Sequence, residues 1–408
     1  MVNGSITVEN SAGRTRRFLN SNFPGLAPDS LQILILDQPL PHPENWHAGE
    51  LHCHSDYSND PVEFGASLKV LQEAGQALGL GYVVCTDHSY DFYYQKTRYM
   101  DRTDPSLNFQ SYRNEAFELN KTAHKTKPIL IPGEEVSCGN HLGENVHLLV
   151  AGHPEFLPGL GDGGRRWLNN RPDLTIDQVL ERLGETPCFA AHPRVKVGSL
   201  ERFIFRRGMW NDQDLTPLNT TRPINGLQFW NGTRGRDFVE GRKFWIKHLL
   251  TGKRLYPIGA NDAHGDLNRN IGVKTPLFSL YQNRNHVFGN VRTVVKSQDK
   301  TIEGIQKGLR TGAIFCTDGP YLNLSQELGK ILIEARSITV YGAFEKLNIY
   351  AGHLGADKEV NVGQWNWVES GPMEFSDSIT APTGAAYIRA EALTATKKFA
   401  LTAPLFLN

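Results

Sequence analysis

Between about residue 48 and residue 317, short apolar, β-branched runs alternate with stretches of helical periodicity, and this alternation constrains the fold more than any other feature. The runs "GELHC", "GYVVC", "PILIPG", "NVHLLVAG", "PCFAAHP", "INGLQFWN", "LYPIGANDAH" and "AIFCTDG" read as strands. In "VEFGASLKVLQEAGQALGL", Phe64, Leu68, Leu71 and Leu78 recur at helical spacing and give one apolar face. Further helical patterns lie in "SYRNEAFELNKTAHK", "IDQVLERLG", "FVEGRKFWIKHLL" and "TIEGIQKGLRTG". Strands separated by helices imply parallel pairing, because a crossover needs a connection of helix length. Seven or eight such strands in about 270 residues suit a closed β/α barrel better than an open sheet. After "TDGPYL" the helical patterns stop, and residues 322–408 alternate like a small antiparallel β domain, a sandwich or part of one. The expected organisation is therefore an extended arm over 1–46, carrying "LQILIL" at 31–36, an α/β barrel over 47–321 and the β-rich domain over 322–408.

The totals exclude several classes. Lys+Arg and Asp+Glu both number 43, so the 408-residue chain has no net charge and lacks the footprint of a dedicated nucleic-acid binder. No run reaches the length of a membrane span, and "MVNGSITVENSAGRTRRFLN" lacks the apolar core of a secretory signal. The five cysteines are scattered, with no CxxC spacing, which argues against a disulfide framework or a zinc ribbon and for a reduced cytoplasmic setting.

The histidines carry the chemistry. The first run ends in His52-Cys53-His54, the second in Thr86-Asp87-His88 and the third in Gly133-Glu134-Glu135. The fourth carries His147, the fifth ends in His192-Pro193, and "IGANDAH" closes with Asp262 and His264. In a β/α barrel the strand C-termini converge on one face, so residues 200 positions apart can meet. Imidazole mixed with carboxylate is the ligand set of Zn, Mn or Fe, whereas an all-oxygen set would suit Mg or Ca. Side chains two apart on a strand share a face, so His52 and His54 can bind one ion, and Asp262 and His264 repeat that spacing. Only one of Glu134 and Glu135 can point inward; the G-x-E pattern favours Glu135, with Glu134 the alternative, and Cys53 and Cys85 are expected to point away from the ligands. His42, His124, His248, His286 and His353 read as ordinary histidines, and His141 and His153 lie off the spacing. "GLGDGG" at 159–164 formally matches a dinucleotide fingerprint, but no helix opens after it, and it reads as a loop near the barrel mouth.

In order and content, "ELHCHSDYS", "VVCTDHS", "IPGEEVS", "NVHLLVAG", "FAAHPR" and "GANDAHG" resemble the PHP (polymerase and histidinol phosphatase) superfamily across residues 48–265. "GLRTGAIFCTDGPYL" and the β-rich tail resemble its carbamate (carbaryl-type) hydrolase branch. The resemblance implies a distorted (β/α)7 barrel holding two or three divalent ions. One ion would be held by His52, His54, Glu135 and Asp262, with Glu135 bridging to a second held by His147 and His192. A third would take His88, His264 and an acid from the first loop. There "HCHSDYSND" departs from the family pattern, with Asn59 at the usual Asp position, and Asp60 is the expected ligand with Asp56 the alternative.

Bridged divalent ions lower the pKa of a shared water and stabilise charge on the attacked centre, which is the chemistry of hydrolysis. Asp87 is the expected orienter or proton relay, and Arg194, with Arg269 as a further candidate, would meet an anionic small-molecule substrate. The expected activity is phosphoester hydrolysis, with nucleic acid conceivable only as a substrate. A carboxyl ester or carbamate hydrolase is the alternative, through an aromatic pocket drawn from Tyr90, Phe92, Tyr93, Tyr94, Phe229 and Trp230. A non-catalytic metal-binding or structural module is the third reading.

Overall fold

The computed structural model describes residues 5–9, 15–19, 38–58, 64–96, 98–122, 125–163, 170–216, 220, 222–265, 267, 285–368 and 371–407. A hairpin of β1 (Ser5–Glu9) and β2 (Thr15–Leu19) comes first, and "LQILIL" lies outside the described residues. The central part runs β3 (Trp46–Cys53), α1 (Leu68–Ala77), β4 (Tyr82–His88), a small hairpin of β5 (Tyr94–Gln95) and β6 (Arg98–Arg102), α2 (Pro105–Thr122), β7 (Ile129–Gly139) and β8 (Asn145–Val150). It continues through α3 (Ile176–Arg182), β9 (Cys188–Ala191), α4 (Ser199–Ile204), β10 (Gly226–Asn231), α5 (Arg236–Leu250), β11 (Tyr256–Ala260), β12 (Arg292–Lys296), α6 (Ile302–Thr311) and β13 (Ile314–Thr317). The last part is β14 (Tyr321–Glu327), β15 (Lys330–Arg336), β16 (Phe344–Gly352), β17 (Val360–Asn366), β18 (Glu374–Thr380), β19 (Tyr387–Thr394), β20 (Phe399–Thr402) and β21 (Leu405–Phe406).

The expected (β/α)7 barrel is not what these strands form. They make one mixed 14-stranded sheet, in the order β11-β10-β9-β8-β7-β4-β3-β12-β13-β20-β19-β16-β17 with β21 beside β19, and the described residues hold only six α-helices. The parallel inference fails at β7–β8, because a five-residue turn over 140–144 replaces a helical crossover and makes the pair antiparallel. The Asn140 side chain shapes that turn by accepting from Leu142 N at 3.0 Å and Glu144 N at 2.9 Å, and Gly143 takes φ +70°. β8–β9 is antiparallel as well, and β12, absent from the sequence reading, inserts antiparallel between β3 and β13. The parallel pairs are β3–β4, β4–β7, β9–β10 and β10–β11. Among the described residues, the segment after β11 meets β3 through the bridge Cys53–Ala263 and not through a ladder.

β4, β7 and β8 are buried almost throughout, as strands covered on both faces must be. From β13 the sheet passes through β20 into the C-terminal strands. There β14-β15-β18 forms a second, antiparallel sheet, and Leu322, Ile331 and Ile333 pack on Leu347, Ile349 and Ile388 of the large one. No helix among the described residues is long and apolar enough to cross a membrane.

A buried ion network ties α5 to the C-terminal strands. Arg389 is 2% exposed and pairs with Glu359 at 2.5 Å and Glu391 at 2.6 Å, while Arg242 of α5 reaches Glu391 at 2.7 Å. Burial opposes charge on Glu391, but Arg389 and Arg242 outweigh it and hold the carboxyl below the ordinary glutamate range. Its contribution to stability is therefore complete above that range and is lost as pH falls through the lowered value. Arg389→Met takes the cation from Glu359 and leaves Glu391 with Arg242 alone, and should cost about 3–5 kcal/mol in denaturant titrations at pH 7. The deficit of Glu391→Gln should shrink on acidification below about pH 4, and a deficit independent of pH would show that Glu391 is not held as a charge.

Candidate metal centre

Six backbone segments deliver eight side chains to one point. His52 is the penultimate residue of β3, and His54 follows the strand. β4 ends with His88, β7 carries Glu135 and β8 carries His147. His192 follows β9, and Asp262 and His264 follow β11. Glu135 and His147 sit inside paired strands rather than at their ends.

Glu135 is the hub. Its Oε2 lies 3.1 Å from His52 Nε2, 3.4 Å from His54 Nε2 and 3.2 Å from His88 Nδ1. Its Oε1 lies 2.6 Å from His147 Nδ1 and 3.1 Å from His192 Nε2. Asp262 Oδ1 approaches His52 Nε2 at 3.3 Å and His54 Nε2 at 3.2 Å, and the His54 and His264 rings stack at 3.8 Å. Three sets of potential ligand atoms each lie within 4.8 Å of one another: His52, His54, Glu135 and Asp262; His88, Glu135 and His147; and His54, His88 and His264.

The backbone is bent to achieve this. His192 and Asp262 take positive φ of 28° and 52°, a conformation that costs a non-glycine residue about 1–3 kcal/mol. Asp262 N donates to His52 O at 2.7 Å, and His54 N donates to Ala263 O at 3.0 Å, so the last loop is stitched to the first strand.

Burial opposes charge on His52, His54, Glu135 and Asp262, yet each sign supports the other. Glu135 and Asp262 raise His52 and, with hydrogen bonds to the same two carboxylates, lift His54 well above the ordinary histidine range. In turn the histidines hold Glu135 and Asp262 well below the carboxylate range. His147, between Glu135 and Asp162, is pushed up to about 10, whereas burial lowers His192. His52 Nε2 and His54 Nε2 are only 3.3 Å apart. Two imidazole lone pairs and two carboxylates in a dry site need positive charge between them, supplied by protons or by a cation. The donor set and its spacing fit a divalent metal ion of the imidazole-binding kind.

The other expected residues fall elsewhere. Asp60 and Arg269 lie outside the described residues, and Asp56 turns away to Lys96 at 2.9 Å. Asp87 is spent on the loop after β3, accepting from Ser55 N at 2.7 Å, Ser55 Oγ at 2.6 Å and Ser58 N at 3.0 Å. Ser58 Oγ in turn contacts His54 Nδ1 and accepts from His88 N, so Asp87 positions ligands without touching the cavity. Glu134 faces away and accepts from Ser89 Oγ and Leu157 N. Arg194 donates to Trp210 O, lies over the Phe244 ring and lines the cavity. Of the aromatic set, Phe229 lines the cavity, Tyr90 stacks on His88 at 4.5 Å, and Phe92 packs on Phe109 and Tyr112.

Several residues of the site were missed. Asp162, inside the discounted "GLGDGG" loop, accepts His147 Nε2 at 2.8 Å and Arg207 Nε at 2.9 Å. Arg207 carried no signal beyond its charge, and neither did Gln228, whose Oε1 meets His52 Nδ1 at 2.9 Å. His286, read as ordinary, lines the cavity with its Nδ1 donating to Asn261 O at 2.6 Å. The cavity over the cluster has a volume of about 410 Å³.

No family model, curated protein or solved structure matches this chain. The chemistry therefore rests on the residues themselves. His54 belongs to two of the three ligand sets, so His54→Ala should lower the metal content of protein loaded with Zn, Mn or Fe and freed of excess, with the circular dichroism spectrum retained. Unchanged content by plasma mass spectrometry would rule out both ligand sets that contain His54.

Proposed function

We propose that this chain is a metal-dependent hydrolase of small anionic substrates, most simply a phosphoesterase. The observation that carries the reading is a buried cluster of histidines and carboxylates at the floor of a cavity whose walls hold Arg194 and Arg207. The order of motifs shared with the PHP superfamily supports it, independently of the barrel that the chain does not form. Two to three ions of Zn, Mn or Fe would be held, one by His52, His54, Glu135 and Asp262, a second by Glu135 with His147 and His88 or His192, and a third by His88 and His264. Such ions would supply Lewis-acid charge and a lowered water pKa.

The chain's own residues would do the rest. Arg207 is fixed through Nε by Asp162, and with Arg194 it would neutralise an incoming phosphoryl group. Asp162 also holds His147 by its outer nitrogen, which orients the ring toward Glu135. Phe229 and Phe238 would take the apolar side of a leaving group. That aromatic wall also favours the second reading, a carboxyl ester or carbamate hydrolase. All five cysteines are buried free thiols, which suits a reducing, cytoplasmic compartment.

The test compares rates on p-nitrophenyl phosphate, bis(p-nitrophenyl) phosphate and p-nitrophenyl acetate, before and after metal removal. Phosphoester turnover lost with the metal and restored by adding it is the expected result. Arg207→Ala should lower kcat/KM for the phosphoester about 10- to 100-fold, the worth of a hydrogen bond to a charged group. Metal-dependent turnover of the acetate alone would replace the phosphoesterase reading with the second one. Bound metal with no turnover on any of the three would leave a binding module.

A further inference from the structure

Along one side of the first ligand set runs a chain of hydrogen bonds whose direction is fixed at one end. Asp262 Oδ2 lies 3.4 Å from Asn231 Nδ2, and an ionised carboxylate can only accept, so Asn231 presents its NH2 there. Asn231 Oδ1 then faces Gln228 and accepts from its Nε2 at 3.1 Å. Gln228 Oε1 is left to face His52 Nδ1 at 2.9 Å, and a carbonyl oxygen requires that nitrogen to carry the hydrogen. The chain thus begins on one oxygen of Asp262 and ends on the outer nitrogen of His52, while Asp262 Oδ1 and His52 Nε2 face each other at 3.3 Å inside the ligand set.

We propose that Gln228 and Asn231 are positioning residues that lock His52 in the Nδ1–H form and so keep its Nε2 electron pair available to a metal ion. Without them, neutral His52 can carry its hydrogen on Nε2 and donate it to Glu135 Oε2 at 3.1 Å, which closes the ligand set to a cation. Gln228 is fully buried, so bulk water has no ready access to substitute for it. The β10–β11 register shifts between Leu227 and Trp230, and this irregularity lets two residues three apart on one strand join a single chain. The inference rests on reading the cluster as a metal centre, and the experiment separates the two.

Zinc affinity and stoichiometry would be measured by titration for wild type, Gln228→Leu and Gln228→Glu, with thermal melts to confirm folding. Glutamate keeps an oxygen facing His52 and leucine does not. Gln228→Leu should lose about 10- to 100-fold in zinc affinity, as outer partners of histidine ligands do, and Gln228→Glu should largely restore it. In long-range proton–nitrogen spectra of the zinc-loaded wild type, the signal assigned to His52 by its absence in His52→Gln should show hydrogen on Nδ1. Wild-type affinity in Gln228→Leu overturns the proposal. Should that variant not fold, hydrogen missing from His52 Nδ1 in the wild type, or a Gln228→Glu protein as weak as a ligand-site variant, overturns it equally. A wild type that takes up no zinc removes the metal centre itself and the proposal with it.

Discussion

One carboxylate organises the middle of this molecule. Glu135 is 1% exposed and touches five imidazoles, three through one oxygen and two through the other. A lone buried carboxylate is among the costliest groups a fold can carry, and it persists only where positive charge or hydrogen-bond donors surround it. The strand order meets that demand. β7 lies between β4 and β8, so His88 and His147 come from its immediate neighbours. β3 and β9 lie one strand further out on either side, and they or the residues just past them supply His52, His54 and His192.

A second tier of buried acids keeps that arrangement in place. Glu50 is fully buried and accepts from the backbone N–H groups of Leu51, His52, Asn261 and Gly289 and from the Asn261 side chain. Burial still pushes its pKa up against those donors. Glu50 thereby fastens β3 to the segment that precedes Asp262, and Asp87 fastens the loop that follows His54. Asp162 does the same for His147 and Arg207. These three acids govern position rather than ligation, and each spans chain segments distant in sequence. That division explains why substituting an outer acid and substituting a histidine should differ in kind: one loosens geometry, the other deletes a donor.

Much of the ligand cluster was legible because it obeys the period of a strand. His52 and His54 sit two apart, and the same alternation allows only one of Glu134 and Glu135 to face inward. The strand directions were less legible. The turn at 140–144 and the insertion of β12 are tertiary choices, and eight strand-like runs read as parallel simply because helices separate most of them. Asp162 was hidden by its context, since a glycine-rich loop gives no period from which to infer direction. Gln228 and Asn231 were hidden by geometry, because alternation assigns residues three apart to opposite faces and only the register shift in β10 unites them.

Without counter-charge the cluster is a liability to the fold. Positive φ at His192 and Asp262 stores strain, and seven ionisable groups are buried in one place with His192 half-buried beside them. Protons can balance the carboxylates, since Glu135 and Asp262 drive His54 well above the ordinary range, and Glu135 and Asp162 push His147 up to about 10. A proton serves one pair of atoms, whereas a divalent ion serves three or four at once, so the ion would relieve repulsion that protons only partition. Binding to the folded state alone then adds stability by mass action. Without it, the cost falls on the surrounding sheet. The almost unbroken burial of β4, β7 and β8 on both faces is the physical condition that lets this chain keep so polar a centre.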